Sequence, residues 1–133
     1  MIQNYRGILD KFYEADNVAT RGASGTAGAS FQDYSIPSGE VWQVRELGGS
    51  ASIDQTEVEL LYTENSGTSW INPYDSSTTK IRCIHLQNGN VSIITSMVLQ
   101  FTGGAGRMLR LRAKNFNALN TAEITSYFTG VIL

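Results

Sequence analysis

The side chains of this sequence best suited to nucleophilic or metal chemistry are Cys83 and His85, in the run Lys80-Ile-Arg-Cys-Ile-His-Leu86. Residues i and i+2 of a strand share a face, so the thiol and the imidazole could touch one metal ion. The sequence suggests no third ligand, and a pair of this kind reads as structural; no metal and no cofactor is expected. His85 is the only histidine, which rules out a His–His metal centre. Cys83 is the only cysteine, so no intrachain disulfide can form, and a buried structural thiol is the expectation. Glu57 and Glu59 project together from one strand face. General acid–base work usually needs two carboxylates across a cleft, in environments that split their pKa values. Neighbours on one outward face read instead as solvated or ion-paired. Thr102-Gly-Gly-Ala-Gly106 is followed by no Gly-Lys-Ser/Thr, so it is not a P-loop. No catalytic constellation emerges, and the chain is not expected to be an enzyme.

Binding chemistry has two candidate sites. Arg110, Arg112 and Lys114 alternate along one strand and form a ladder of like charge, with Arg82 a possible neighbour. Such a ladder repels itself unless carboxylates or solvent answer it, and Glu57 and Glu59 are candidate partners. On neighbouring strands the two ladders would pair within a subunit. On opposite flanks they would favour a head-to-tail contact between subunits. Docking on an acidic partner surface is a third arrangement. The second candidate is aromatic. Trp70 and Tyr74 could form an exposed platform for a sugar, or Trp70 could pack at the edge of the fold. Trp70 ends Asn65-Ser-Gly-Thr-Ser-Trp70, which resembles a sialidase Asp-box; that box is mainly a hairpin brace, and turn chemistry accounts for a single copy.

Strands must position all of these residues. Val91, Ile93, Thr95, Met97, Leu99 and Phe101 lie on one parity, as do Leu109, Leu111 and Ala113 after the glycines. That alternation predicts two long strands folded into a hairpin over Val91–Asn115. Further strands are expected at residues 31–36, 41–47, 56–63, 80–87 and 121–133. Pro37-Ser-Gly-Glu40, Glu64–Trp70 and Asn88-Gly89-Asn90 are turn signals between them. With about eight strands, the expected fold is all-β, an antiparallel β-sandwich, jelly-roll-like. Residues 1–28 stand apart. Tyr5, Ile8, Leu9 and Phe12 would line one face of a short helix, although Gly7 weakens it and the segment could be extended. A Gly/Ala-rich stretch follows and has the composition of a flexible linker. The expected division is an N-terminal arm and linker at 1–28 and a sandwich at 29–133. The arm would dock on a neighbour, or fold back on its own sandwich as a first strand.

Composition narrows the partners. At 133 residues the chain is one domain with a core of its own. Its 17% charged content lies below the usual ~25% and suits either a permanent assembly or Ser/Thr-rich outer faces. The formal net charge of −2 argues against a general nucleic-acid binder. Residues 1–79 carry a net −7 and residues 80–133 a net +5, which points to pairing of acidic with basic strands, within or between subunits, with a basic binding surface as the alternative. No run approaches a membrane span and the N-terminus has no signal-peptide core, so assembly in a reducing cytosol is expected.

The run Ile36-Pro-Ser-Gly-Glu-Val-Trp-Gln-Val44 after Phe31, the segment Arg110-Leu-Arg-Ala-Lys-Asn115 and the closing Ile124-Thr-Ser-Tyr-Phe-Thr-Gly130 carry a resemblance. Across roughly residues 29–133 the chain resembles small virion structural proteins of tailed bacteriophages, β-sandwich modules of capsid decoration (cement), tail fibre or neck. The resemblance implies a non-enzymatic protein of the virion, assembled in the host cytoplasm. It would be a homo-oligomer, most often a trimer, bound to the major capsid protein lattice. The arm lies outside the resemblance, and composition alone gives Tyr5, Ile8, Leu9 and Phe12 an attachment role; with the charge ladders Arg110, Arg112, Lys114, Glu57 and Glu59 they are the expected subunit or capsid contacts, removal of the arm leaving the sandwich folded. The alternative is a carbohydrate- or receptor-binding module of a fibre or spike, using Trp70 and Tyr74.

Overall fold

The computed structural model describes residues 6–133, and Tyr5 lies outside them. Among the described residues nine strands form two antiparallel sheets: β1 (Gly7–Val18), β2 (Gly28–Ser35), β3 (Val41–Ala51), β4 (Thr56–Thr63), β5 (Lys80–Leu86), β6 (Val91–Ile94), β7 (Leu99–Thr102), β8 (Met108–Asn115) and β9 (Ala122–Ile132). Sheet A has the order β1-β9-β3-β6, with β7 also on β3, and sheet B the order β2-β8-β4-β5. The pairs β1–β9, β2–β8, β3–β6/β7 and β4–β5 nest inside one another along the chain. The expected antiparallel β-sandwich is the fold.

The core lies between the sheets. Val58, Leu60 and Tyr62 of β4 and Leu109, Leu111 and Ala113 of β8 face Leu9, Val44, Leu47, Ile124 and Phe128 of sheet A, all buried. Each large apolar side chain buried in this way contributes about 1.5–3 kcal/mol. Phe101 packs on Tyr62 with ring centroids 4.9 Å apart, and Tyr34 meets Phe128 edge-on at 5.5 Å. Both arrangements suit the charge distribution of aromatic rings.

Two expectations are corrected. The Val91–Asn115 segment is not a hairpin. β7 pairs with β3 in sheet A, whereas β8 pairs with β2 and β4 in sheet B. The glycine-rich break therefore carries the chain across the sandwich. Gly103 is packed against the Pro37–Glu40 turn, where an added Cβ would lie 1.9 Å from the Pro37 carbonyl oxygen. The Asn88-Gly89 turn likewise leads from β5 in one sheet to β6 in the other.

The arm is also corrected. Residues 7–18 are neither a helix nor a separate arm but edge strand β1, paired with β9 from Gly7↔Ile132 to Val18↔Ala122. Strand alternation splits the proposed helical face: Leu9 is 1% exposed and belongs to the core, whereas Ile8 is 84% and Phe12 60% exposed. Pairing along the length of β9 outweighs the weak helical period. The Tyr34 hydroxyl donates to the Phe12 carbonyl at 2.6 Å, and the hydroxyls of Tyr13 and Ser30 are hydrogen-bonded. These contacts tie β1 to β2, so the boundary expected at 28/29 falls inside one folded unit.

Candidate functional site

The charged residues meet on the outer face of sheet B. The register sets Glu57 opposite Lys114, Glu59 opposite Arg112 and Leu61 opposite Arg110 across β4 and β8. On the other side of β8, Asp33 of β2 stands opposite Arg110. The acidic and basic ladders thus pair within one subunit, and head-to-tail docking between them is not what the geometry offers.

Glu59 is the centre. The Arg112 guanidinium donates to its Oε2 from Nε at 2.6 Å and from Nη2 at 2.5 Å. Lys80 and Lys114 approach its Oε1 at 3.0 and 3.2 Å. Glu57 accepts from Lys80 at 2.9 Å and from the Cys83 thiol at 2.6 Å, both at Oε1. Of the two expected states, solvated or ion-paired, the carboxylates take the second, and they are buried beneath their partners. β4 is an inner strand, and the long side chains of Lys80, Arg112 and Lys114 close over its outer face. Burial pushes the Glu59 carboxyl up, but hydrogen bonding with Glu57, Lys80 and Arg112 and the Arg112 charge together outweigh it and hold the pKa at about 2. The hydrogen bond to Glu57, against a desolvation that pulls the other way, and then the bond to Glu59 raise Lys80 above the ordinary lysine value. Desolvation, followed by the bond to Glu57, pushes the Cys83 thiol up to about 12. An ionised carboxylate saturated by three cations is a poor proton acceptor, and a thiol so protonated is a poor nucleophile.

Arg110 is held on every side. It makes a bidentate pair with Asp33, Nε–Oδ1 2.7 Å and Nη2–Oδ2 3.0 Å. Its guanidinium lies between two rings, 3.6 Å from the Phe31 centroid and 4.2 Å from that of Trp70. Stacking of this kind adds ~0.5–2 kcal/mol. Trp70 also borders a cleft of about 640 Å³ with Asn72, Ser77, Thr78 and Thr79. Tyr74 is engaged elsewhere: its ring meets Phe101 edge-on at 6.1 Å and its hydroxyl donates to the Gln100 carbonyl at 2.8 Å. The two rings thus make separate contacts, Trp70 with Arg110 and Tyr74 with Phe101 and Gln100.

Asp33, Phe31 and Lys80 complete the network, and sequence reasoning did not assign them to it. Arg82 stays apart and donates to the Ile81 carbonyl at 2.8 Å.

The outer face of sheet A is different in kind. Phe12, Tyr127, Gly48 and Ile93 fall in one row across β1, β9, β3 and β6. The Tyr127 ring lies over Gly48, where a Cβ would come within 2.3 Å of Cζ, and packs against Phe12 with centroids 5.4 Å apart. Its hydroxyl donates to Glu46 at 2.8 Å. Ile8, Phe12, Val91 and Ile93 are exposed on this face, and Val98 is exposed in the link between β6 and β7. Comparison of the chain with family models, curated proteins and solved structures gives no match.

Proposed function

We propose that the chain is a non-enzymatic assembly subunit of the capsid-decoration (cement) kind, a homo-oligomer that binds a virion lattice through the outer face of sheet A. The observation that carries this reading is the exposure of Ile8, Phe12, Val91 and Ile93 on one sheet face, with the half-buried Tyr127 ring in the row between Phe12 and Ile93. Large apolar side chains exposed together on one face mark interaction sites. The occupant is a second copy of the chain, with trimer the expected number, and the major capsid protein lies beneath. The virion assignment rests on the resemblance of residues 29–133 and places the protein in the virion after cytoplasmic assembly. Among the contact residues first considered, Ile8 and Phe12 remain candidates. Leu9 is in the core, and Arg110, Arg112, Lys114, Glu57 and Glu59 are satisfied internally.

Light scattering at high concentration and co-sedimentation with expanded capsids test this. An oligomer that binds capsids is expected, with Phe12→Asp and Ile93→Asp reducing both properties while leaving the thermal midpoint within a few degrees. A monomer that binds no capsid would overturn the proposal. A fibre-type carbohydrate module is the second reading, favoured only by the Trp70 cleft and its row of hydroxyls; a glycan array without signal removes it.

A further inference from the structure

We propose that Glu57, Cys83 and His85 form a binding site for one zinc ion on the outer face of sheet B. The register places His85 of β5 directly opposite Glu57 of β4, and Cys83 stands two residues earlier on the same face. One donor atom from each residue lies within 4.8 Å of the other two. Tetrahedral zinc with sulfur at ~2.3 Å and nitrogen or oxygen at ~2.0–2.1 Å sets its donors roughly 3.3–3.6 Å apart. The three groups therefore need to close by about an ångström. Glu57 is buried, with its Oε1 2.6 Å from the Cys83 sulfur. The His85 side chain is 83% exposed, so its ring supplies the movement by rotation without displacing packed neighbours.

The two oxygens of Glu57 divide the work. Oε1 keeps Lys80 at 2.9 Å, and Oε2, 4.0 Å from His85 Nδ1, is the ligand oxygen. A thiolate, an imidazole and a carboxylate suit zinc, whereas magnesium and calcium take oxygen donors throughout. A cleft of about 690 Å³, bordered by Glu57, His85, Asp54 and Gln87, gives the ion an entry path and leaves the fourth position to water. On binding, the Cys83 S–H bond breaks and the proton goes to solvent. A Zn–S bond forms, and His85 coordinates as neutral imidazole. The cation then lies between thiolate and carboxylate, which would otherwise repel at their present separation. The ion would pin edge strand β5 to inner strand β4.

Untagged, chelator-treated full-length protein titrated with Co²⁺ as a spectroscopic probe and then with Zn²⁺ tests the site. One Co²⁺ per chain is expected, with a near-ultraviolet sulfur-to-metal charge-transfer band that Zn²⁺ displaces. Cys83→Ser, His85→Ala and Glu57→Gln should each weaken binding at least ~10-fold. His85→Ala alters an exposed side chain and should keep the wild-type melting curve, so its result stands if Glu57→Gln fails to fold. Zn²⁺ should also raise the thermal midpoint of the wild type but not that of His85→Ala. The proposal is overturned if the wild type gives no stoichiometric band, or if binding survives His85→Ala unchanged.

Discussion

Glu59 holds its charge in a place where a carboxylate has no water to solvate it, and three cations make that possible. Folding lowers its pKa from 4.5 to about 2. In that window the unfolded chain binds the proton more readily than the folded one. The stability from this group is therefore complete above about pH 4.5 and is lost as pH falls toward 2, on the order of 3 kcal/mol in all. Urea midpoints measured from pH 6 to pH 2 should fall in that interval, and Glu59→Gln should flatten the fall. Pairing of the ladders within a subunit was legible in the sequence as one of the available arrangements. The part of Lys80 was not. Simple alternation puts Lys80 on the opposite face from Cys83 and His85. A bulge between Leu60 and Leu61 resets the register so that Lys80 stands opposite Leu61, on the outer face. Glu57 was not recognisable as a partner for Cys83 either, because strand pairing, not spacing along the chain, brings them together.

At the scale of the strands, β9 joins β1 to β3, and Gly130 leaves no room for a side chain between β9 and β3. A Cβ there would lie 1.8 Å from the Gln43 carbonyl oxygen, beside the bulge between Val44 and Glu46. Backbone cannot yield as a side chain can. Gly130→Ala should cost about 3 kcal/mol or more, or prevent folding. Gly48→Ala meets the far end of the Tyr127 ring, which can swing outward, and should cost about 1 kcal/mol. Thermal denaturation of the two variants side by side checks the order. Alternation identified β3, β4, β5, β8 and β9 because each has one face on a continuous core. It could not say which strands pair. Leu99 and Phe101 point inward whether the glycines after them make a hairpin or a crossover, so the residues read the same in both. β1 was obscured for a related reason: Leu9 faces the core while Ile8 and Phe12 face out, and that mixture imitates a helical stripe.

The whole molecule is a slab with two unlike sides, one closed by ion pairs and one on which Ile8, Phe12, Val91 and Ile93 are exposed. Leu9, Ala15 and Val18 of β1 belong to the shared core, so the N-terminal segment is part of that slab. Deleting residues 1–19 should leave a chain without the sharp far-ultraviolet and thermal transitions of the full protein. A truncated chain that melts cooperatively near the original temperature would show that the segment is separable after all. The meeting of Gly7 with Ile132 at the outer end of the β1–β9 pair also sets how the fold carries force. Tension applied at those two points opens the ladder one hydrogen-bonded pair at a time, as a zipper opens, and never loads the whole row in shear. The slab is mechanically weak along that line, so an assembly under internal pressure would have to grip it by its broad faces and leave its ends unloaded.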